Sequence, residues 1–209
     1  MEPLRLHRGF SLIELMVVLA IILIITSVVL GNQSSFNKTL ILANTAYDIG
    51  LTLRSAQTYG LGSRIVGTAT NAGYGVHFLS GSPGSFGLFA DTSPAPSCST
   101  PDCKPGDHAY TTDSDVLVQT YTLGNGMTIN NFCSLTSGTW TCAAGGGLTS
   151  LDIVFSRPNP VPFISPNGVY STSFPATAAC IAITSPQGGG RFISVTASGQ
   201  ITANAASCP

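Results

Sequence analysis

Hydrophobic residues fall into three successive patterns along this chain. From Phe10 to Leu30 there are 21 residues in which Glu14 is the only charge. At about 1.5 Å per residue a helix of that length spans roughly 30 Å, the thickness of a bilayer hydrocarbon core. From Asn32 to about Gly62 the pattern becomes amphipathic. Phe36, Leu40, Tyr47 and Leu51 recur at spacings of four, seven and four, which predicts a helix with this stripe facing a core. Lys38, Asn44, Asp48 and Arg54 largely take the other faces. No proline interrupts this stretch, so the apolar helix is expected to run on into it, with Gly31-Asn32 and Gly50 as weak points.

Beyond Gly62 short β-type runs alternate with turn residues. The predicted strands are Gly73–Leu79, Phe86–Ala90, Val116–Leu123, Met127–Phe132, Leu151–Phe155, Ala178–Thr184, Phe192–Thr196 and Gly199–Thr202. The last two read as a hairpin turning through Ala197-Ser198-Gly199. Residues Asp91–Asp115 carry little apolar content and are expected to form an exposed loop. Arg157–Pro166 holds four prolines in ten residues, which rules out a central strand. The fold class predicted is α+β: a long N-terminal helix on an antiparallel, β-rich head.

The first eight residues carry Arg5, His7 and Arg8 against Glu2, a short basic leader. The positive-inside tendency then keeps the N-terminus cytoplasmic and sends everything after Leu30 across the membrane. An ordinary secretory signal has a shorter apolar core and a small-x-small cleavage site. Here the run is longer, contains a carboxylate, and ends in Val28-Val29-Leu30-Gly31. A plain membrane anchor accounts for length and orientation but leaves Glu14 unexplained, because an acidic group within an apolar helix wants a partner. A cut between Gly9 and Phe10 would supply one: the new α-amino group of Phe10 could meet Glu14 of a neighbouring, staggered chain. Loss of one member of such a buried pair typically costs about 3–5 kcal/mol, so the pair would set register.

Arg8-Gly9-Phe10-Ser11-Leu12-Ile13-Glu14-Leu15, with the apolar residues that follow to about Ile25, resembles the class III signal of type IV pilins and type II secretion pseudopilins. The resemblance implies that prepilin peptidase cuts after Gly9 and that the Phe10 amine is methylated. It also implies a leader at 1–9, a membrane and assembly helix at 10–30, its amphipathic continuation at 31–62, and a head at 63–209. The expected partners are prepilin peptidase, other pilins or pseudopilins in a filament, and an inner-membrane assembly platform. The chain would lie in the inner membrane with its head outside, then join a periplasmic or cell-surface filament. Leu53-Arg54-Ser55-Ala56-Gln57, Gly73-Tyr74-Gly75-Val76-His77-Phe78 and Arg191 through Ile201 are similar to GspH/FimT-type minor pseudopilins. That family's last hairpin often has a basic residue after the turn glycine, where this chain has Gln200.

Composition narrows the remaining functions. After loss of the leader the chain holds six basic and eight acidic side chains, and beyond Gly62 only Arg64, Lys104, Arg157 and Arg191 oppose six aspartates. Non-specific DNA binding requires several phosphate-neutralising cations, so nucleic acid is not an expected partner. All six cysteines follow the apolar run: Cys98, Cys103, Cys133, Cys142, Cys180 and Cys208. An even count in an exported region reads as disulfides, with fifteen connectivities open. Sequential pairing is the expectation, because the first two pairs close local loops and the third ties down the tail. A zinc reading would group Cys98, Cys103 and His108 with Asp102 or Asp107, but structural zinc sites use tighter cysteine pairs in matched sets.

No catalytic constellation is present: His77 and His108 lack an adjoining Ser or Cys nucleophile motif, and neither glycine triplet has phosphate-loop context. The chain is therefore not expected to be an enzyme or to need a cofactor. Asp102, Asp107, Asp113 and Asp115 are calcium candidates by charge alone. Their spacing lacks the glycine and terminal glutamate of an EF-hand, so solvated loop acids are the expectation.

Overall fold

A computed structural model describes residues 9–62 (backbone alone at 32–37), 64–65, 72–92 and 106–208. The chain divides into two compact units, Met1–Leu40 and Ile41–Pro209. Helix α1 covers Leu12–Leu61. Among the described residues ten strands follow: β1 (Gly73–Leu79), β2 (Ser85–Asp91), β3 (Val116–Thr122), β4 (Thr128–Thr136), β5 (Thr139–Cys142), β6 (Ser150–Phe155), β7 (Pro162–Pro166), β8 (Ala176–Thr184), β9 (Gly190–Thr196) and β10 (Ile201–Ala205). They form two five-stranded antiparallel sheets, ordered β3-β2-β1-β6-β7 and β10-β9-β8-β4-β5. The fold is α+β, with a long N-terminal apolar helix and a two-sheet head.

One apolar core joins the inward side chains of both sheets to one face of α1. On β1 the alternating residues Tyr74, Val76 and Phe78 enter it, on β6 Leu151, Ile153 and Phe155, and on β8 Ala179, Ile181 and Ile183. The helix contributes Leu42, Ala46, Ile49, Leu53 and Ala56, at spacings of four, three, four and three. This corrects the predicted stripe. Leu40 is exposed, Tyr47 and Leu51 are 61% and 63% exposed, and the side chain of Phe36 lies outside the described residues. The buried stripe mixes Ala with Leu and Ile because strands approach the helix closely, whereas the larger residues chosen from sequence sit on the opposite side. Tyr47 and Leu51 line a groove of about 500 Å³ with Arg54 and residues of β10.

Gly50 shows the same close approach. A Cβ there would lie 2.9 Å from the Cβ of Ala203 on β10, so this glycine marks a packing contact and the helix passes through it unbroken. At Gly60 an added Cβ would overlap the carbonyl oxygen of Phe155.

Eight predicted strands correspond to observed ones within a few residues, and two observed strands were not predicted. β5 forms a hairpin with β4 through Ser137-Gly138, both at positive φ (50° and 79°), the geometry of a two-residue type I′ turn. Ser-Gly is a weaker signal for that turn than Asn-Gly. β7 lies inside the proline-rich segment. It is an edge strand, so Pro162 and Pro166 are accommodated there while a central position stays excluded.

The described part of the β2–β3 connection corrects the exposed-loop expectation. Residues 106–115 lie against the side of the first sheet away from the core. Tyr110 packs on His77 and Phe89 with ring centroids 4.7 and 5.1 Å apart, and the His108 ring stacks on Phe163 at 3.7 Å. Ser165 Oγ donates to the carbonyl of His108, and Ala109 is buried. This segment is a strap that makes the outer face of β2, β1, β6 and β7 a second buried layer.

Candidate functional site

The N-terminal segment is the first candidate. Gly9 and Phe10 precede α1 and are exposed, Phe10 by 79%, and nothing lies within 4 Å of where a Cβ on Gly9 would stand. The bond between them is therefore open to a protease. In the first turn the Glu14 N–H donates to Ser11 Oγ at 3.2 Å, so Ser11 caps the helix. Ser11-Leu12-Ile13-Glu14 has the spacing of a capping box, and a carboxylate in the first turn also faces the positive end of the helix dipole. The Ser11 cap was legible in the Ser-x-x-Glu spacing, which the reading of Glu14 as a register partner had not used. Leu12–Gly31 is long and apolar enough to cross a membrane, and none of it is buried.

The second candidate is the acidic node of the head. Asp91, at the end of β2, was not among the predicted site residues. It brings one carboxylate oxygen within 4.8 Å of those of Asp107 and Asp115. Of the four calcium candidates, Asp107 and Asp115 meet there, Asp113 is exposed and outside the group, and Asp102 lies outside the described residues. The expectation of solvated loop acids fails for Asp115, which is buried, as is Asp91 beside it.

Backbone N–H groups organise this node. Asp91 accepts from Asp107 at 3.2 Å and His108 at 2.9 Å, while Asp115 accepts from Thr92 at 2.8 Å and Thr111 at 2.7 Å. Asp107 accepts from Ala109 at 3.1 Å. Asp91 thus ties β2 to the start of the strap, and Asp115 ties the strap's end back to β2. Burial, reinforced by the charge of Asp115, pushes the Asp91 carboxyl up to about 8, against the pull of its two backbone donors. Burial also raises Asp107. His108 is lowered by burial to about 4. The 3.7 Å approach of His108 Nδ1 to Asp91 is consequently a contact of two neutral groups at neutral pH, not an ion pair.

A third polar contact lies beneath the same strap. His77 Nδ1 is 2.6 Å from Asp152 Oδ1, on register partners of β1 and β6. Burial raises the Asp152 carboxyl, and the hydrogen bond and charge of His77 oppose that rise. Asp152 Oδ2 is buried without a hydrogen-bond partner among the described residues. Sequence gave no sign of this pair, because its members are 75 residues apart. Tyr110 covers His77, and the described residues place no Ser or Cys nucleophile in hydrogen-bond contact with it.

Cys133 is bonded to Cys142, and Cys180 to Cys208. Cys98 and Cys103, and with them the first expected pair and most of the zinc grouping, lie outside the described residues.

With this geometry in view, comparison with known proteins bears on the N-terminus. Residues 4–30 match the prokaryotic N-terminal methylation motif. That motif supports a prepilin-type, pilin-like subunit processed by prepilin peptidase, and with the apolar helix it supports a membrane-anchored one. No curated protein and no solved structure matches the chain.

Proposed function

We propose that this chain is a minor pilin or pseudopilin, a structural subunit of a type IV pilus or type II secretion system. The methylation motif at residues 4–30 carries the reading. Prepilin peptidase removes residues 1–9, the Phe10 amine is methylated, and the helix over 10–30 holds the subunit in the inner membrane with its head outside. The amphipathic continuation over 31–62 and the head over 63–209 then enter a periplasmic or cell-surface filament through the assembly platform. Disulfides in the head support an exported location. The GspH/FimT-type minor pseudopilins are the relatives we propose for the head. Mass spectrometry of the mature N-terminus from native cells tests the processing step; an intact Met1 or a start near Gly31 would overturn it.

Two roles compete for the Glu14 side chain: the reciprocal half of the capping box that its spacing from Ser11 allows, and register partner of the Phe10 amine. Glu14→Gln separates them. Glutamine serves a capping box as glutamate does, but it cannot form the ion pair. We expect Glu14→Gln, like Glu14→Ala, to leave membrane insertion intact and to lower filament incorporation more than ten-fold, since breaking a buried pair costs about 3–5 kcal/mol. Unchanged incorporation of Glu14→Gln would leave Glu14 with the capping role alone.

A further inference from the structure

The second sheet carries three cysteines in one row, and a fourth is bonded to it from the C-terminal segment. Strand order β5-β4-β8 sets Cys133 directly across from Cys142 on one side and directly across from Cys180 on the other. Register partners point to the same face of a sheet. The three strand-borne cysteines therefore stand side by side on adjacent strands, with Cys133 in the middle and the Cα atoms of the bonded Cys133 and Cys142 4.0 Å apart. Cys180 is bonded onward to Cys208 of the C-terminal segment. Cys133 and Cys180 are buried, whereas Cys142 and Cys208 are partly exposed.

We propose that this row is a thiol–disulfide exchange site, in which a dithiol that opens Cys180–Cys208 converts Cys133–Cys142 into Cys133–Cys180. A thiolate of the external dithiol attacks the accessible Cys208 Sγ, forming a mixed disulfide and expelling Cys180 as thiolate. Displacement at a disulfide runs in line, with attacking and leaving sulfurs on opposite sides of the attacked one. The strand order supplies that line. Cys180 Sγ attacks Cys133 Sγ, the Cys133–Cys142 bond breaks, and Cys142 leaves on the far side as thiolate. The dithiol's second sulfur then attacks its own mixed disulfide, releasing Cys208 and closing the external disulfide. Its two protons end on Cys142 and Cys208. The dithiol is oxidised by two electrons, and the protein passes from two disulfides to one disulfide and two thiols.

Two features make the internal step competitive. The buried Cys180 thiolate is shielded from solution but sits beside Cys133, and an oriented intramolecular nucleophile outcompetes a dilute external one by orders of magnitude. The product is also feasible without backbone movement: opposed Cα atoms of an antiparallel pair lie about 4.5–5.5 Å apart, within the roughly 4.4–6.8 Å span of disulfides. The exchange releases the tail and the end of the β4–β5 hairpin while locking β4 to β8.

The test uses full-length protein in detergent, limiting dithiothreitol, rapid alkylation and peptide mapping. The expected early product is the Cys133–Cys180 peptide with alkylated Cys142 and Cys208, in more than ten-fold excess over protein that keeps Cys133–Cys142 with Cys180 and Cys208 alkylated. The reverse ratio means two independent staples and overturns the proposal. Cys142→Ser provides a second arm without reductant. It leaves Cys133 as a thiol beside Cys180–Cys208, so the variant should isolate with Cys133–Cys180 and a free Cys208; retention of Cys180–Cys208 with Cys133 alkylated is the contrary result.

Discussion

Replacement of Asp91 by Asn should invert the pH dependence of head stability. The Asp91 carboxyl titrates near 8 in the folded head and near its ordinary value of 3.8 when unfolded. Between those values the folded state binds more protons, so stability falls as pH rises. The contribution is complete below about pH 4 and is lost as pH climbs through about 8. At 1.36 kcal/mol per pKa unit the gross effect is on the order of 5 kcal/mol. Local release of the strap 106–115 gives an ionised Asp91 access to water and limits the observable loss to about 2–4 kcal/mol. His108 acts in the opposite direction. Its folded value near 4 lies below its ordinary 6.5, so its contribution is full above about pH 6.5 and is lost as pH falls through about 4.

Asn at position 91 keeps one oxygen to accept an N–H but presents an NH₂ to the other donor, costing about 1–3 kcal/mol where the wild-type carboxyl is protonated. As pH climbs from about 4 toward 8 that cost is offset, because the unfolded wild-type chain ionises Asp91 while the folded head keeps it protonated, and the variant has no such loss. Urea unfolding of full-length protein in detergent, followed by near-ultraviolet circular dichroism of the head, should give curves that cross between about pH 4.5 and 6. Between about pH 4 and 6.5 the two contributions oppose one another in the wild type, so the acid limb set by His108 should stand clear only in the variant. Parallel curves across that range, or a wild type that gains stability at high pH, would refute the neutral-carboxyl account. So would abolition of the alkaline loss by millimolar calcium, which would make the node a cation site.

Three further outcomes follow from packing and covalent structure. Leu53→Ala should destabilise the head by about 2–5 kcal/mol, while Leu51→Ala, two residues away on the exposed side, should change urea stability by less than about 0.5 kcal/mol. Gly50→Ala should cost about 1–3 kcal/mol despite the better helix propensity of alanine, since its Cβ meets Ala203; a stabilised variant by the same assay would refute the close packing of α1 on β10. Removing the Cys180–Cys208 link by paired Cys→Ala changes should cost about 3–4 kcal/mol by loop closure across a sequence separation of 28, read as a lower urea midpoint.

Features governed by local chemistry were legible in the sequence. The membrane-length run and the alternating strands β1, β6 and β8 depend on neighbours a few residues away, and their periodicities appear directly in the chain. The helix face was misread because two apolar stripes are available between residues 36 and 56. Side-chain size favoured Leu40, Tyr47 and Leu51, yet close strand contact selected the stripe containing Ala46 and Ala56. That choice belongs to the partner surface, which a helical period does not contain.

The acidic node explains the other principal error and what the head does with its few charges. Low apolar content between Asp91 and Asp115 suggested an exposed loop, but burial here is held by hydrogen bonds rather than side-chain hydrophobicity. Asp91 and Asp115 satisfy four backbone N–H groups between them, and the aromatic rings of Tyr110 and His108 supply the apolar contact. An unpaired buried N–H costs about 1–3 kcal/mol, so each carboxylate replaces a ladder that the strap lacks. The same arrangement makes the strap sensitive to protonation, because its acceptors are most easily buried when uncharged. Polar residues in a loop are therefore ambiguous until their backbone donors are known. In this chain those donors bind Asp91 to residues 16 and 17 positions away, the distance at which sequence pattern ceases to report the contact.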